Sequence, residues 1–134
     1  MLMGLKNSGK SYFCEYLLNY VKEKKGNLCL IDSDLGKNRL LSGCVSLTIV
    51  TDGEEENQNL WIGETTPLNN INGYIQALKY FHRLYKEKYF THSLIINTMG
   101  YLTGIGEILF YEIFDIIKPT KILVMNGDQL CSKI

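Results

Sequence analysis

Near the start of the chain, the stretch GLKNSGKS (Gly4 to Ser11) sets two glycines, a lysine and a hydroxyl at the spacing Gly-x-x-x-x-Gly-Lys-Ser. That spacing is the phosphate-binding loop pattern, in which backbone N–H groups wrap a nucleotide's phosphates. Glycine at both ends lets the backbone approach a phosphate with no Cβ in the way. Gly4, Lys6, Asn7, Ser8, Gly9, Lys10 and Ser11 are therefore the expected nucleotide-binding residues. Lys10 would be a point charge on the β- and γ-phosphate oxygens of ATP, and Ser11 a hydroxyl ligand for Mg²⁺. Lys10 is expected on the surface of its own loop. A glycine-bearing turn before an ordinary helix is the competing explanation; strict spacing, the Lys-Ser pair and a helical pattern directly behind it favour the phosphate loop.

A second stretch with chemistry in it is IDSDLGK, Ile31 to Lys37. Carboxylates at the C-terminal end of a strand beside a phosphate loop are where α/β folds place ligands and Mg²⁺. On an extended chain Asp32 and Asp34 would point the same way and share a metal with its water shell. Turn aspartates after strands are common, so the D-x-D alone carries little. Its place about one helix and one strand after Lys10 carries more.

These two stretches need a frame. Tyr12, Phe13, Tyr16, Leu17, Tyr20 and Val21 recur at helical spacing, and Lys22, Lys24, Lys25 and Gly26 close that helix. Asn27 to Asp32 and Ser46 to Val50 read as strands, with a short one at Leu60 to Ile62. Ile71 to Lys88 reads as a helix with Ile75, Leu78, Phe81 and Leu84 or Tyr85 inward. His92 to Asn97 is a strand. Ile105 to Ile117 is a helix with Ile105, Ile108, Leu109, Phe110, Ile113, Phe114 and Ile117 as its buried stripe, stopped by Pro119. Lys121 to Met125 is the last strand. Strands alternating with helices predict an α/β fold of the P-loop NTPase kind, a three-layer α/β/α arrangement on a mostly parallel sheet. The acidic stretch GEEENQN, Gly53 to Asn59, reads as a solvated loop.

With 134 residues and 46% apolar content the chain is one domain by length, residues 1–134, able to bury a core. Four cysteines, Cys14, Cys29, Cys44 and Cys131, lie far apart, which points to free thiols and neither a zinc site nor a redox pair. The longest apolar runs are strand-sized, so no membrane span is expected. Fourteen basic and fourteen acidic residues balance, which argues against a broad nucleic-acid-binding face. Any polynucleotide contact would be local.

The blocks GLKNSGKSYFCEYLLN, IDSDLG followed by SGCVSLTIV, WIGETTP (Trp61 to Pro67) and LIINTMGYLTGIG (Leu94 to Gly106), in that order, resemble the polynucleotide 5′-hydroxyl kinase family. The branch most similar is the one acting in ribosomal RNA processing (the Nol9 type), with the mRNA 3′-end and tRNA-splicing kinase as a cousin. The resemblance covers nearly the whole chain. It implies ATP and Mg²⁺ as cofactors and an RNA 5′-hydroxyl end as the substrate. It further implies an endoribonuclease partner subunit in an rRNA-processing complex, and a nuclear or nucleolar location. By resemblance Lys10 and Asp34 are catalytic, Asp34 orienting or deprotonating the 5′-hydroxyl, and Ser11, Asp32 and Asp34 form the metal site. Thr65 and Thr66 of GETTP, with Tyr101, would clasp the first nucleotide of the RNA. An aromatic face grips any base without a large positive surface.

The chain also departs from that pattern. The family usually has Gln where Lys37 stands, Trp where Tyr101 stands and Lys where Thr103 stands. The sequence carries only Met1, Leu2 and Met3 ahead of the loop and ends at Ile134, so the family's N-terminal base-binding domain and arginine-bearing lid are expected to be absent. Two functions therefore stand side by side: a polynucleotide 5′-hydroxyl kinase, and a catalytically weak ATP-binding scaffold subunit of an RNA-processing complex. A generic P-loop NTPase is a third.

Overall fold

The structure is a computed structural model and describes residues 1–100 and 103–126. Strand β1 (Leu2–Gly4) runs into the phosphate loop and helix α1 (Lys10–Glu23), followed by β2 (Leu28–Asp32), β3 (Cys44–Thr51) and β4 (Glu54–Trp61). A short 3₁₀ turn (Pro67–Asn69) leads to α2 (Ile71–Lys88), β5 (Ser93–Asn97), α3 (Ile105–Ile117) and β6 (Leu123–Met125). The six strands make one sheet in the order β4-β3-β2-β5-β1-β6. β2, β5, β1 and β6 are parallel, and β3 and β4 are antiparallel additions at one edge.

Period-2 alternation along β2 divides the core between the two faces. Leu28 and Leu30, with Leu2 and Val50, pack on Cys14 and Leu18 of α1. Cys29 and Ile31, with Leu47, Ile49 and Ile96, pack on Tyr74, Leu78 and Phe81 of α2 and on Leu109 and Ile113 of α3. Each such aliphatic or aromatic side chain contributes about 1.5–3 kcal/mol through its burial. The result is the expected three-layer α/β/α fold. Its parallel strands all end at the edge where the phosphate loop and Asp32 sit. Among the described residues no helix is long and apolar enough to cross a membrane.

Three local findings refine the sequence reading. The helix α1 forms as its spacing implies, with its tyrosines turned away from the sheet: Tyr12 is 81% exposed, and Tyr16 and Tyr20 are exposed as well. The inward face is Lys10, Cys14 and Leu18, at i, i+4 and i+8. Its phase is set by Lys10, whose side chain must turn under the loop. Second, Glu54 to Asn59 is not a loop but most of β4, paired residue for residue with β3 from Thr51↔Glu54 to Cys44↔Trp61. Asp52 and Gly53 both take positive φ (52° and 88°), the requirement of a tight two-residue hairpin, for which Asp-Gly is a sequence signal. The acidic side chains of β4 are a charged edge that blocks further strand pairing. Third, Ile105 and Ile108 of α3 are exposed while Leu109, Phe110, Ile113 and Ile117 are buried, because α3 carries more apolar residues than one helix face can bury.

Candidate active site

Gly9 caps α1 at φ 93°, a left-handed conformation that a Cβ would strain, and its carbonyl accepts the N–H of Phe13 at 2.9 Å. Lys10, the first helical residue, folds back so that Nζ donates to the carbonyls of Gly4 at 2.8 Å and Leu5 at 3.0 Å. Lys10 is only 5% exposed, which corrects the expectation of a surface position. Burial lowers its pKa; Asp34 opposes that and the charge of Lys37 adds to it. Lys6 to Ser11 line a cavity of about 310 Å³, closed by Tyr12, Asp34 and Lys37. The Ser8 hydroxyl is buried and has no hydrogen-bond partner among the described residues. Gly4 lies below this cavity, where a Cβ would come within 2.6 Å of the Met125 carbonyl and of Ser8 Oγ.

The two aspartates part company. β2 ends at Asp32 and the chain turns, so that the N–H of Asp34 donates back to Asp32 Oδ1 at 3.2 Å. Asp32 Oδ1 also accepts the Asn97 side-chain amide at 2.9 Å, and Oδ2 accepts the N–H of Arg39 at 2.8 Å. Asp32 is buried, and that burial raises its carboxyl pKa against these three donors. It borders neither cavity described here. Asp34 is half-exposed and lines the loop cavity together with Ser11, its Oδ1 accepting the N–H of Lys37 at 3.2 Å. The extended D-x-D geometry therefore gives way to a turn, which leaves Asp34, and not Asp32, as the carboxylate that lines the cavity with Ser11. Among the described residues no group of three or more His, Cys, Asp or Glu is placed to hold a metal ion.

A second cavity of about 460 Å³ adjoins the first. One wall is the turn from Asp34 to Lys37, a second is Thr65, Thr66 and Pro67, and a third is Met99 and Gly100. Thr66 caps the 3₁₀ turn by accepting the N–H of Leu68. A Cβ on Gly100 would sit 2.6 Å from the backbone N of Lys6, so glycine is needed where the end of β5 passes the phosphate loop. Tyr101, expected in the clasp, lies outside the described residues. Lys6, Asp34 and Lys37 border both cavities.

Two supporting residues escape a motif-level reading of the sequence. Asn97 ends β5 and is paired across the sheet with Asp32. Arg39 donates Nε to Glu15 and Nη2 to Glu55, both at 2.8 Å, tying α1, the Asp32 turn and β4 together. An Asn directly after an apolar strand run is the only signal for the first; the second has none, since its partners are far apart in sequence.

Comparison with known proteins gives the family and the fold. The family model described as the mRNA cleavage and polyadenylation factor CLP1 P-loop matches residues 4–134. Polynucleotide 5′-hydroxyl-kinase NOL9 of Bos taurus is 27% identical over 139 residues, covering 96% of this chain and 20% of its own length. Polynucleotide 5′-hydroxyl-kinase GRC3 of Debaryomyces hansenii is 30% identical over 143 residues, covering 96% of this chain and 21% of its own. The chain thus spans about a fifth of these curated relatives. In fold it is similar to Clp1p in the wild-type Clp1p–Pcf11p complex, with a TM-score of 0.80 at 15% identity, over 98% of this chain and 38% of that one.

Proposed function

The chain belongs to the mRNA cleavage and polyadenylation factor CLP1 P-loop family, and from that premise we propose that it transfers the γ-phosphoryl group of ATP to the 5′-hydroxyl of an RNA, in ribosomal RNA processing. The single observation that carries this reading is the position of Asp34. It stands on the wall shared by the phosphate-loop cavity and the cavity of Thr65, Thr66 and Gly100, between a donor side and an acceptor side.

On the donor side the N–H groups of the loop and Lys10 hold the β- and γ-phosphates. Ser11 and Asp34 are an oxygen donor set suited to Mg²⁺, which keeps several waters and takes one or two protein oxygens beside substrate phosphates. When bound, that ion neutralises charge on the phosphate oxygens. On the acceptor side Thr65, Thr66 and Gly100 hold the first nucleotide, a role that the family resemblance extends to Tyr101. Asp34 accepts the proton of the 5′-hydroxyl as its oxygen attacks the γ-phosphorus in line. The new O–P bond forms as the bond from the γ-phosphorus to the β,γ-bridging oxygen breaks, and ADP leaves. Catalysis is then mostly positioning and electrostatics. Asp32 serves this by holding the Asp34 turn from inside.

The test is a transfer assay with γ-labelled ATP and a 5′-hydroxyl RNA oligonucleotide, run beside an equilibrium measurement of ATP binding. Label on the RNA is the expected result. ATP binding with no label transferred, with and without co-purified partners, would make the chain a nucleotide-binding scaffold subunit. Neither binding nor transfer would remove both readings.

A further inference from the structure

Lys37 reaches across the site. Its backbone N–H holds Asp34 Oδ1 at 3.2 Å, and its Nζ donates to the side-chain oxygen of Asn7 in the phosphate loop at 2.6 Å. One residue therefore binds the general base through its backbone and the phosphate loop through its side chain, and it borders both cavities. Asn7 is neutral, and among the described residues Lys37 has no ion-pair partner. The ammonium is thus positioned without being neutralised. Lys6 borders the same two cavities but has no hydrogen bond holding its side chain among the described residues.

The geometry points to Lys37 as a catalytic residue: the cation that stabilises the γ-phosphoryl group while it passes from ATP to the acceptor, supplied by this domain itself. The inference rests on the kinase reading. As the bond to the β,γ-bridging oxygen breaks and the bond to the 5′-oxygen forms, negative charge spreads over the phosphoryl's equatorial oxygens. A cation fixed beforehand at that point is worth most, because nothing has to reorganise during the step. Lys10 approaches from under the loop and Lys37 from the acceptor side, so the phosphoryl would travel between two ammonium groups with Asp34 alongside. The bond to Asn7 holds Lys37 in readiness, and the ammonium exchanges it for the phosphoryl oxygens.

The alternative is that Lys37 only tethers the loop through Asn7. Lys37→Gln, Lys37→Arg and Asn7→Gly separate the two; glycine accepts the positive φ of 65° found at Asn7. Affinities for ADP, and for ADP with aluminium fluoride as a mimic of the phosphoryl in flight, are measured by calorimetry beside the RNA transfer rate. Lys37→Gln is expected to lose about 10²–10³-fold in kcat and in affinity for ADP–aluminium fluoride, with ADP affinity within threefold of the parent. Lys37→Arg should recover most of both, and Asn7→Gly should lose less than tenfold. If Lys37→Gln keeps its affinity for the mimic, or if Asn7→Gly falls as far as Lys37→Gln, the assignment is overturned. A parent that transfers nothing would defeat the kinase reading, and mimic binding would still decide where the Lys37 charge acts.

Discussion

Asn97 donates its side-chain amide to Asp32 Oδ1 across 2.9 Å, at the point where the ends of β5 and β2 are paired neighbours in the sheet. The bond is buried, and it is one of three donors that make a carboxylate tolerable there. The pair fixes the spot where the chain leaves β2 for the Asp34 turn, so it governs the site without bordering either of its cavities.

Removing that donor should be felt in stability. Asn97→Ala leaves Asp32 short of one partner in a buried place, for an expected loss of about 1–3 kcal/mol in urea unfolding. The Asp34 turn should loosen with it, lowering transfer more than nucleotide affinity. A parent-like unfolding midpoint would show that the bond contributes nothing.

Nucleotide binding should hinge on Lys10. Because the residue is buried, Lys10→Met is a better test than truncation to alanine: it keeps the apolar stem and removes the ammonium with its bonds to the Gly4 and Leu5 carbonyls. Calorimetry should find no measurable ATP binding by a variant whose thermal unfolding stays cooperative. Ser11→Ala should bind ATP but lose most of the Mg²⁺ dependence of that binding. Parent-like ATP affinity in folded Lys10→Met would refute the phosphate-loop assignment.

The two aspartates should separate in their variants as they do in space. Asp34→Asn replaces a half-exposed carboxylate whose hydrogen bond within the fold, accepted from the Lys37 N–H, an amide oxygen also accepts. Its stability should stay near the parent while transfer falls about 10²–10⁴-fold. Asp32→Asn sets an NH₂ against N–H donors that now meet carboxylate oxygens, so it should unfold more readily. Stable Asp32→Asn with no transfer, beside active Asp34→Asn, would exchange the two roles.

How much of this was legible in the sequence depends on the range of each interaction. The phosphate loop and α2 depend on neighbours in the chain, and α2 runs from Ile71 to Lys88 as its periodicity implies. The inward phase of α1 was not legible, because it follows from Lys10 reaching the Gly4 and Leu5 carbonyls, and aromatic residues on the opposite face imitate a core stripe. β4 is hidden in the sequence by its acidic composition, although the Asp52-Gly53 hairpin signal lies just before it. The shared placement of Lys6, Asp34 and Lys37 comes from two segments, the phosphate loop and the turn after β2, meeting at the sheet's edge, which spacing alone does not reveal.

The acid limb of the stability curve should belong largely to Glu55. This β4 carboxylate accepts Arg39 Nη2 at 2.8 Å and Asn57 Nδ2 at 3.0 Å, and pairs with Lys22 of α1. Burial by itself would raise its carboxyl, but Lys22, Asn57 and Arg39 outweigh that and take it down to about 2. A folded value below the ordinary 4.5 means that the unfolded chain binds the proton first as pH falls. The stabilisation is therefore present in full above pH 4.5 and is lost as pH drops toward about 2. Asp32 works in the opposite sense: its raised value means that its contribution is present in full below 3.8 and is lost as pH rises through the folded value. Glu55→Gln should thus be less stable than the parent at neutral pH by about 1.5–3 kcal/mol, the range for hydrogen bonds to charged groups. The gap between the two proteins should close between pH 4.5 and about 2 in urea titrations at stepped pH. A gap that stays constant across that window would mean that Glu55 acts through packing, and that the Lys22–Glu55–Arg39 charges do not hold α1 to the edge of the sheet.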